Sequence, residues 1–435
     1  MSIGNDGMWM AHQTSVHTRT SIDTICPFSD ASENEDTIAS RLWPDLSFDP
    51  VIGRFRNTFA GRLMASDEEL SASSSGGLTT WLAKQLLIAG DVDGIIHVTP
   101  KHSDSHLFGY TISRTPDALD QGRKSAYYSV TLYDVLRQTT NDGLNYAVVG
   151  LPCFIRSVRL LVCHDERFRT QMRYFIGLVC GHMKSHLFAK SLGWQAGINP
   201  NELQQIDFRV KNRHARASDY SYSASGKNDR NPRVMSISST VDGNWGYGAF
   251  QPNGCNFCDD IFAETADVTF GDAWLPEFVS DWRGTNLVVT RNSYLDSILQ
   301  SARDRGEISL SPLNHNDVRN AQSGGIRHRR EGLALRLFDD QSAGYLVPKK
   351  RVLPSSKFSH KRIVIIRLRR QLSKLSTDFF LDAVRNNNLD QYCRQIQSAT
   401  SKYNHLYLRR GPIISTLRQL IRLARVISSA IRNRP

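Results

Sequence analysis

The chain has 435 residues, with 54 Lys and Arg against 42 Asp and Glu, a net charge of +12 and a pI near 9.4. That length exceeds one ordinary core and predicts two or three folding units, each large enough to hold without cross-links. Seven cysteines form an odd, sparse set that argues against a disulfide framework, and apolar runs such as Ile363-Val364-Ile365-Ile366 end at arginines far short of the roughly 18 residues a membrane-spanning helix needs.

Met1 to Ser21 is polar, with His12, Gln13, Thr14 and His17 where a secretory leader needs an apolar stretch. Reduced thiols in a cytoplasmic setting are therefore expected. Residues 1–55 read as an irregular arm whose landmarks are Cys26-Pro27-Phe28-Ser29 and the acidic Glu33-Asn34-Glu35-Asp36. Cys26 reads equally as a relic of a larger motif or as an ordinary cysteine in a turn.

Ser73 to Thr80 is a run of small residues leading into Trp81–Ala89, whose apolar positions recur at helical spacing and close on Gly90. Small residues at a helix start allow an anion to approach free backbone N–H groups and the helix dipole. A serine and glycine turn also opens many helices that bind nothing. Gly94-Ile95-Ile96-His97-Val98 follows as a strand. Gly122-Arg123-Lys124-Ser125-Ala126-Tyr127-Tyr128 then combines charge, hydroxyl and aromatic groups in a loop suited to a phosphate, to a planar ring or simply to solvent.

Tyr146–Gly150 is a predicted strand, Leu151-Pro152-Cys153 a turn and Phe154–Val162 a helix; Tyr174–Cys180, Gly181-His182 and Met183–Trp194 repeat the pattern. Cys153 and Cys180 thus lie just past the carboxyl ends of two buried strands, the edge at which α/β sheets bind ligands. Cys163 and Cys393 have no such placement and read as packed or surface thiols. Residues 204–241 alternate as strands around a polar insertion from Arg213 to Arg233 that is expected to be mobile.

Gly254-Cys255-Asn256-Phe257-Cys258 comes next. Two thiols two residues apart can face one soft metal, and the glycine lets the backbone turn tightly around it. A zinc or iron–sulfur site takes four ligands, so two more must come from Cys26, Cys153, Cys163, Cys180 or Cys393. Asp259, Asp260, Asp267 and Asp272 read as turn caps or as cofactor contacts. Val268–Phe270 and Asn286–Thr290 are further strands and Ser293–Arg305 a helix.

From Lys349 onward 20 Lys or Arg face three acids, whereas the preceding residues carry 34 against 39. Ile413, Leu417, Leu420, Ala424, Ile427 and Ile431 fall on one stripe of a basic amphipathic helix, which can cap the body, lie on an anionic membrane surface or dock on an acidic partner. Nucleic acid is disfavoured, because the basic residues lack interleaved aromatic platforms. The expected class is α/β, with mixed, partly parallel sheets and flanking helices. The expected units are an arm over 1–55, a first domain over 56–140, a second over 141–345 and a basic helical tail over 346–435.

Taken in order, Ser75-Gly76-Gly77-Leu78, Lys124-Ser125, Val149-Gly150-Leu151-Pro152-Cys153, Ile176-Gly177-Leu178-Val179-Cys180-Gly181, Cys255-Asn256-Phe257-Cys258 and Ala266 to Trp274 resemble the coenzyme F420 hydrogenase/dehydrogenase beta-subunit family, itself similar to the plant hydroxymethyl-chlorophyll reductases. The resemblance covers roughly residues 60 to 330. It implies an FAD-containing iron–sulfur oxidoreductase that passes electrons between a one-electron carrier and a two-electron hydride substrate. It implies Cys153, Cys180, Cys255 and Cys258 as ligands of a 4Fe-4S cluster, and Ser75, Gly76, Gly77, Thr79, Lys124 and Ser125 as flavin contacts. A ferredoxin-like redox partner and a small-molecule substrate follow, with coenzyme F420 as a candidate substrate and polysaccharide biosynthesis as a candidate setting. The chain departs from many relatives at Cys26-Pro27, which has no cysteine before it, so a second cluster of the ferredoxin kind cannot be built there. The rival readings are a non-catalytic protein with a structural Cys₄ zinc and a tail that grips a membrane, a partner or nucleic acid, and a scaffold that has kept the fold for glycan assembly.

Overall fold

The computed structural model describes residues 1–12, 22–101 and 106–407, so the basic stripe from Ile413 to Ile431 lies outside the described residues. The centre is an eight-stranded sheet. In chain order its strands are β1 (Asn57–Leu63), β2 (Gly94–Pro100), β3 (Phe108–Ser113), β4 (Tyr146–Gly150), β5 (Met172–Leu178), β6 (Val268–Asp272), β7 (Asn286–Thr290) and β8 (Ile308–Pro312). Their spatial order is β8-β1-β7-β6-β5-β4-β2-β3. β2, β4, β5 and β6 run parallel, and the remaining pairs are antiparallel. This is the expected mixed α/β class. The segments 56–140 and 141–345 do not form separate sheets, because β1 is inserted between β7 and β8.

The helices that matter are α1 (Glu35–Leu42), α2 (Leu78–Ile88), α3 (Pro152–His164), α4 (His186–Gln195), α5 (Ser323–Arg329), α6 (Glu331–Ser342), α7 (His360–Arg385) and α8 (Leu389–Tyr407). The apolar face of α2 sends Leu78, Leu82 and Leu86 against Ile176, Val268 and Val288 of the sheet. Elsewhere Val148 and Phe175 share a core with Ile155 and Val158 of α3, Phe188 of α4 and the aromatic Phe250. Continuous apolar runs in β4 and β5 fit strands covered on both faces.

Gly77 is the N-cap of α2 in the left-handed region, at φ +85°. A Cβ there would meet nothing closer than Ser73 Oγ at 3.4 Å, so the need for glycine is conformational rather than steric. Gly77→Ala is expected to cost about 1–2 kcal/mol of stability, to be read by urea denaturation; an unchanged midpoint would show that the turn relaxes to another conformation.

Three segments are more ordered than their composition suggests. The polar insertion, expected to be mobile, forms Ser221–Gly226, the middle strand of a three-stranded antiparallel sheet with Leu203–Val210 and Arg233–Ser236, and it buries Tyr222 and Ala224. The N-terminal arm contains α1, capped by Asn34, whose side chain accepts from the Thr37 N–H. Arg156 of α3 holds the arm by donating to the carbonyls of Pro27 and Glu33 and pairing with buried Glu35 at 3.0 Å. In the tail, α7 and α8 place Phe380, Ala383, Tyr392 and Ile396 in the main core. Each large apolar side chain so buried contributes about 1.5–3 kcal/mol, so this part of the tail is structural. Asp242, fully buried, accepts from Ser191, Gln195 and Tyr392 and fastens α8 to α4.

Candidate metal centre and flavin cleft

Four of the seven cysteines meet beyond the carboxyl ends of the parallel strands. Cys153 lies in the first turn of α3 rather than in a turn before it, since Pro152 already occupies the first helical position. There the helix dipole favours a thiolate. Cys180 follows β5 and donates its N–H to the Ile261 carbonyl at 3.0 Å. Cys255 sits in the 3₁₀ turn Asn253–Phe257 and Cys258 just past it.

Burial first, and then Cys258, Cys180 and Cys255, push the Cys153 thiol well above its ordinary range. Burial likewise pushes Cys180 up to about 12 and Cys258 up to about 11, with neighbouring thiols adding to both shifts. Cys153, Cys180 and Cys258 would stay protonated when bare; coordination by a metal removes that penalty. Cys163 is exposed beside Arg41, and Cys393 lies on α8, away from this group. Cys26 stands near it, since Pro27 and Phe28 line a small cleft with Cys153 and Cys258.

Arg329 of α5 reaches into the group. It is 1% exposed and donates to the carbonyls of Cys255 at 3.0 Å and Cys258 at 3.4 Å, with Nη2 at 3.8 Å from Cys180 Sγ. Its guanidinium is held above the usual range by the four thiols, although burial acts the other way. Arg336 of α6 donates to the Asn256 carbonyl at 2.8 Å, and the Met183 N–H points at Cys255 Sγ at 3.4 Å. Cations and N–H donors around sulfur suit a group with net negative charge. Among the described residues, no three His, Cys, Asp or Glu converge closely enough to hold a single metal ion. A cluster interposes its own iron and sulfide between the thiolates and so spans a wider set of sulfurs than one zinc does.

Cys180 also lines a cavity of about 2020 Å³. The same cavity is lined by Ser75, Gly77, Thr79, Lys124 and Ser125, together with Tyr127, Lys184 and Trp245. Helix α2 begins at its wall on Gly77, which has no side chain to cap it; the Leu78 N–H donates to Asn286 Oδ1 at 3.1 Å, and the Thr79 and Thr80 N–H groups of the first turn are left for a ligand. Gly76 is turned away: a Cβ on it would strike Arg62, Asn286 and the Gly61 carbonyl at 2.8–2.9 Å. The Ser75 hydroxyl donates to the Thr285 carbonyl. Lys124 donates to the carbonyls of Ser71 and Arg209 and pairs with Asp207 at 3.3 Å, so it braces the loop while lining the cavity. The Ser125 N–H donates to the Ser74 hydroxyl at 2.7 Å.

Sequence reasoning did not reach several residues of this site. The Trp245 indole packs where a Cβ on Gly181 would lie, 2.7 Å from its Nε1, and stacks on His182 with centroids 4.4 Å apart. Lys184 is fully buried, donates to the Ala249 carbonyl and lies over the Trp245 and Phe188 rings; burial brings its ammonium down to about 7. Arg329 and His328 sit in the run Arg327-His328-Arg329-Arg330, in which nothing in the sequence separates the buried members from exposed Arg327. The acidic residues near the cysteine pair all have protein partners, and Asp272 also lines the cavity. Asp259 meets Arg351, Asp267 meets Arg159 at 3.0 Å and Asp272 meets Arg209 at 3.1 Å, while Asp260 accepts from the Glu264 N–H.

Residues 143–316 match the family model for the carboxy-terminal part of the coenzyme F420 hydrogenase/dehydrogenase beta subunit, and residues 61–137 match the model for its amino-terminal part. The chain is 21% identical over 250 residues to the F subunit of the F(420)H(2) dehydrogenase of Methanosarcina mazei, covering 57% of this chain and 64% of that protein. It is 26% identical over 253 residues to the coenzyme F420-dependent sulfite reductase of Methanocaldococcus jannaschii, covering 55% of this chain and 36% of that protein. It therefore spans less than two thirds of the length of either relative. The fold superposes on a chain of the F420-reducing NiFe hydrogenase complex from Methanosarcina barkeri with a TM-score of 0.51 and 17% identity, over 68% of this chain and 96% of that one. At that identity the likeness speaks for the fold.

Proposed function

The chain belongs to the coenzyme F420 hydrogenase/dehydrogenase beta-subunit family, and from that premise we propose that it is an FAD- and iron–sulfur-dependent oxidoreductase subunit exchanging electrons between a one-electron carrier and a hydride substrate. The observation that carries this reading is Cys180, which belongs to the group of four thiols and at the same time lines the cavity bounded by the α2 loop. Cys153, Cys180, Cys255 and Cys258 would hold a 4Fe-4S cluster, and Ser75, Gly77 and Thr79 with Lys124 and Ser125 would bound the flavin nucleotide. The cluster and the flavin would supply single-electron and hydride chemistry respectively.

The polypeptide does the positioning. Arg329 balances charge on the sulfur side, and the start of α2 offers N–H groups to phosphate. Tyr127 and Trp245, with ring centroids 4.8 Å apart, offer flat apolar surface on the cavity wall. Lys184 Nζ, whose charge is balanced near neutrality, can hold or release a proton there. Coenzyme F420 is the hydride substrate suggested by the names of the relatives, and a multi-subunit complex is the assembly suggested by them. A setting in polysaccharide biosynthesis gains no support from those relatives. No helix among the described residues is long and apolar enough to cross a membrane.

Anaerobically purified protein should be brown-yellow, release FAD on heating and contain about four irons and four sulfides per chain. Reduced coenzyme F420 should bleach the bound flavin. Colourless protein carrying one zinc would sink the redox reading and favour the structural-metal alternative.

A further inference from the structure

We infer that α7 and α8, which follow the family-matched residues, build a second anion-binding subsite in the cavity for a multiply charged, phosphate-type group on the molecule that exchanges electrons with the flavin. This rests on the redox reading above and goes beyond it by naming the chemistry of the substrate's far end.

Ordinary ligand pockets measure about 300–1,000 Å³, so a cavity of about 2020 Å³ has room for a nucleotide cofactor and a second molecule together. The part of the wall that lies outside residues 61–316 includes Arg327 of α5, Arg336 of α6, Arg362 and Arg369 of α7, and Tyr403, Asn404 and Tyr407 of α8. Carboxylates are scarce here. Over the whole cavity, Asp219 and Asp272 are the lining acids among the described residues, and Asp272 is already paired with Arg209. Arg362 has Glu331 at 2.7 Å, but Arg336 and Arg369 find no carboxylate partner among the described residues. Arg336 spends its donors on the Asn256 and His328 carbonyls, and Arg369 reaches His182 Nδ1 at 3.1 Å.

Polar atoms without a partner mark the same place. His182 and His328, 3% and 4% exposed, each have a buried Nε2 with no hydrogen-bond partner, as has Arg369 at Nε. All three residues line the cavity. Burial brings Arg369 down to about 10, and burial together with Arg369 and Arg329 holds Arg336 below its usual range. Such unrelieved positive charge is costly unless an anion completes it. Arg329 touches the cysteine residues and is accounted for by the sulfur site; Arg362 and Arg369 touch none of them. Tyr403 and Tyr407, stacked at 4.8 Å, add hydroxyl donors, and Asn404 accepts from the Tyr247 hydroxyl. Guanidinium pairs with phenol and imidazole donors suit a phosphate better than a single carboxylate.

The test is calorimetric titration of inorganic pyrophosphate into FAD-loaded, full-length protein. One site per chain is expected. Arg369→Gln should weaken it about tenfold or more, as loss of a charge-assisted hydrogen bond does. Asn404→Asp, which adds a negative charge on the opposing helix while keeping the acceptor for Tyr247, should weaken it as well and decides the matter should Arg369→Gln fail to fold. FAD and iron contents should match the parent in both variants. No binding to the loaded protein, equal binding in the variants, or loss of FAD together with the anion would overturn the subsite. Flavin-free parent protein would speak against the redox reading instead, and is read separately on the same samples.

Discussion

Cys180→Ser is expected to strip the protein of its iron and of its iron–sulfur absorbance, while Cys163→Ser leaves both intact. Cys180 is the most buried of the four grouped thiols, 7% exposed, and stands between the other three and the cavity. A serine hydroxyl in that setting does not ionise, so it cannot replace the thiolate. The loss extends to stability. Without an anionic group beside it, Arg329 becomes a buried cation with only carbonyl partners, and an uncompensated buried charge costs about 3–5 kcal/mol. The variant should therefore also melt at lower temperature than Cys163→Ser. Iron analysis, visible absorption and thermal melting on the same preparations read all three effects. Full iron in Cys180→Ser with FAD retained would show that the ligand set is wrong.

Arg351→Met is expected to destabilise the folded chain by about 3–5 kcal/mol without touching a cysteine. Arg351, in the segment between α6 and α7, pairs with Glu264 at 2.7 Å, Asp36 at 2.9 Å and Asp259 at 3.4 Å, and lies 3.7 Å from Glu35. Glu35, Asp259 and Glu264 are all buried; Glu35 keeps Arg156, but removal of Arg351 leaves Asp259 without its cation and Glu264 with only Arg330 at 4.0 Å. Burial raises Glu264 even with Arg351 present to lower it, and the substitution raises it further. A carboxyl raised on folding contributes its stability at low pH and loses it as pH climbs through the folded value. The deficit relative to the parent should thus be largest at neutral and alkaline pH and shrink on acidification, when Glu264 takes up a proton. Urea denaturation across that range measures it. A deficit independent of pH would assign the effect to lost packing of the arginine stem instead.

Much of the frame was legible because local signals sufficed. Asn286–Thr290 is a short apolar run bounded by polar residues, and the strand occupies those residues. Cys153 and Cys180 were placed at equivalent strand ends by the repeated strand-turn pattern alone, and the structure brings both to Cys255 and Cys258. What escaped was set by partners far along the chain. The Lys124 loop reads as suited to a phosphate, a planar ring or solvent; its ammonium is taken up by carbonyls 53 and 85 residues away. Arg329 is indistinguishable in sequence from Arg327 and Arg330, since only the helical phase of α5 decides which arginine enters the thiol group. The insertion after Arg213 reads as a loop from its serines and asparagines, yet Tyr222 anchors it as a strand by filling a core position. The tail is ambiguous from charge alone, because arginines on one face of α7 say nothing of Phe380 on another.

The position of β1 has a consequence for how such a chain can be divided or inherited. Its antiparallel neighbours on both sides, β7 and β8, come from more than 200 residues later in the polypeptide. A gene cut near codon 140 would yield two fragments, each lacking strands that the other holds, so neither could close its own core. The two matched regions are therefore knitted into a single sheet, and a cut between them strips β1 of both its partners.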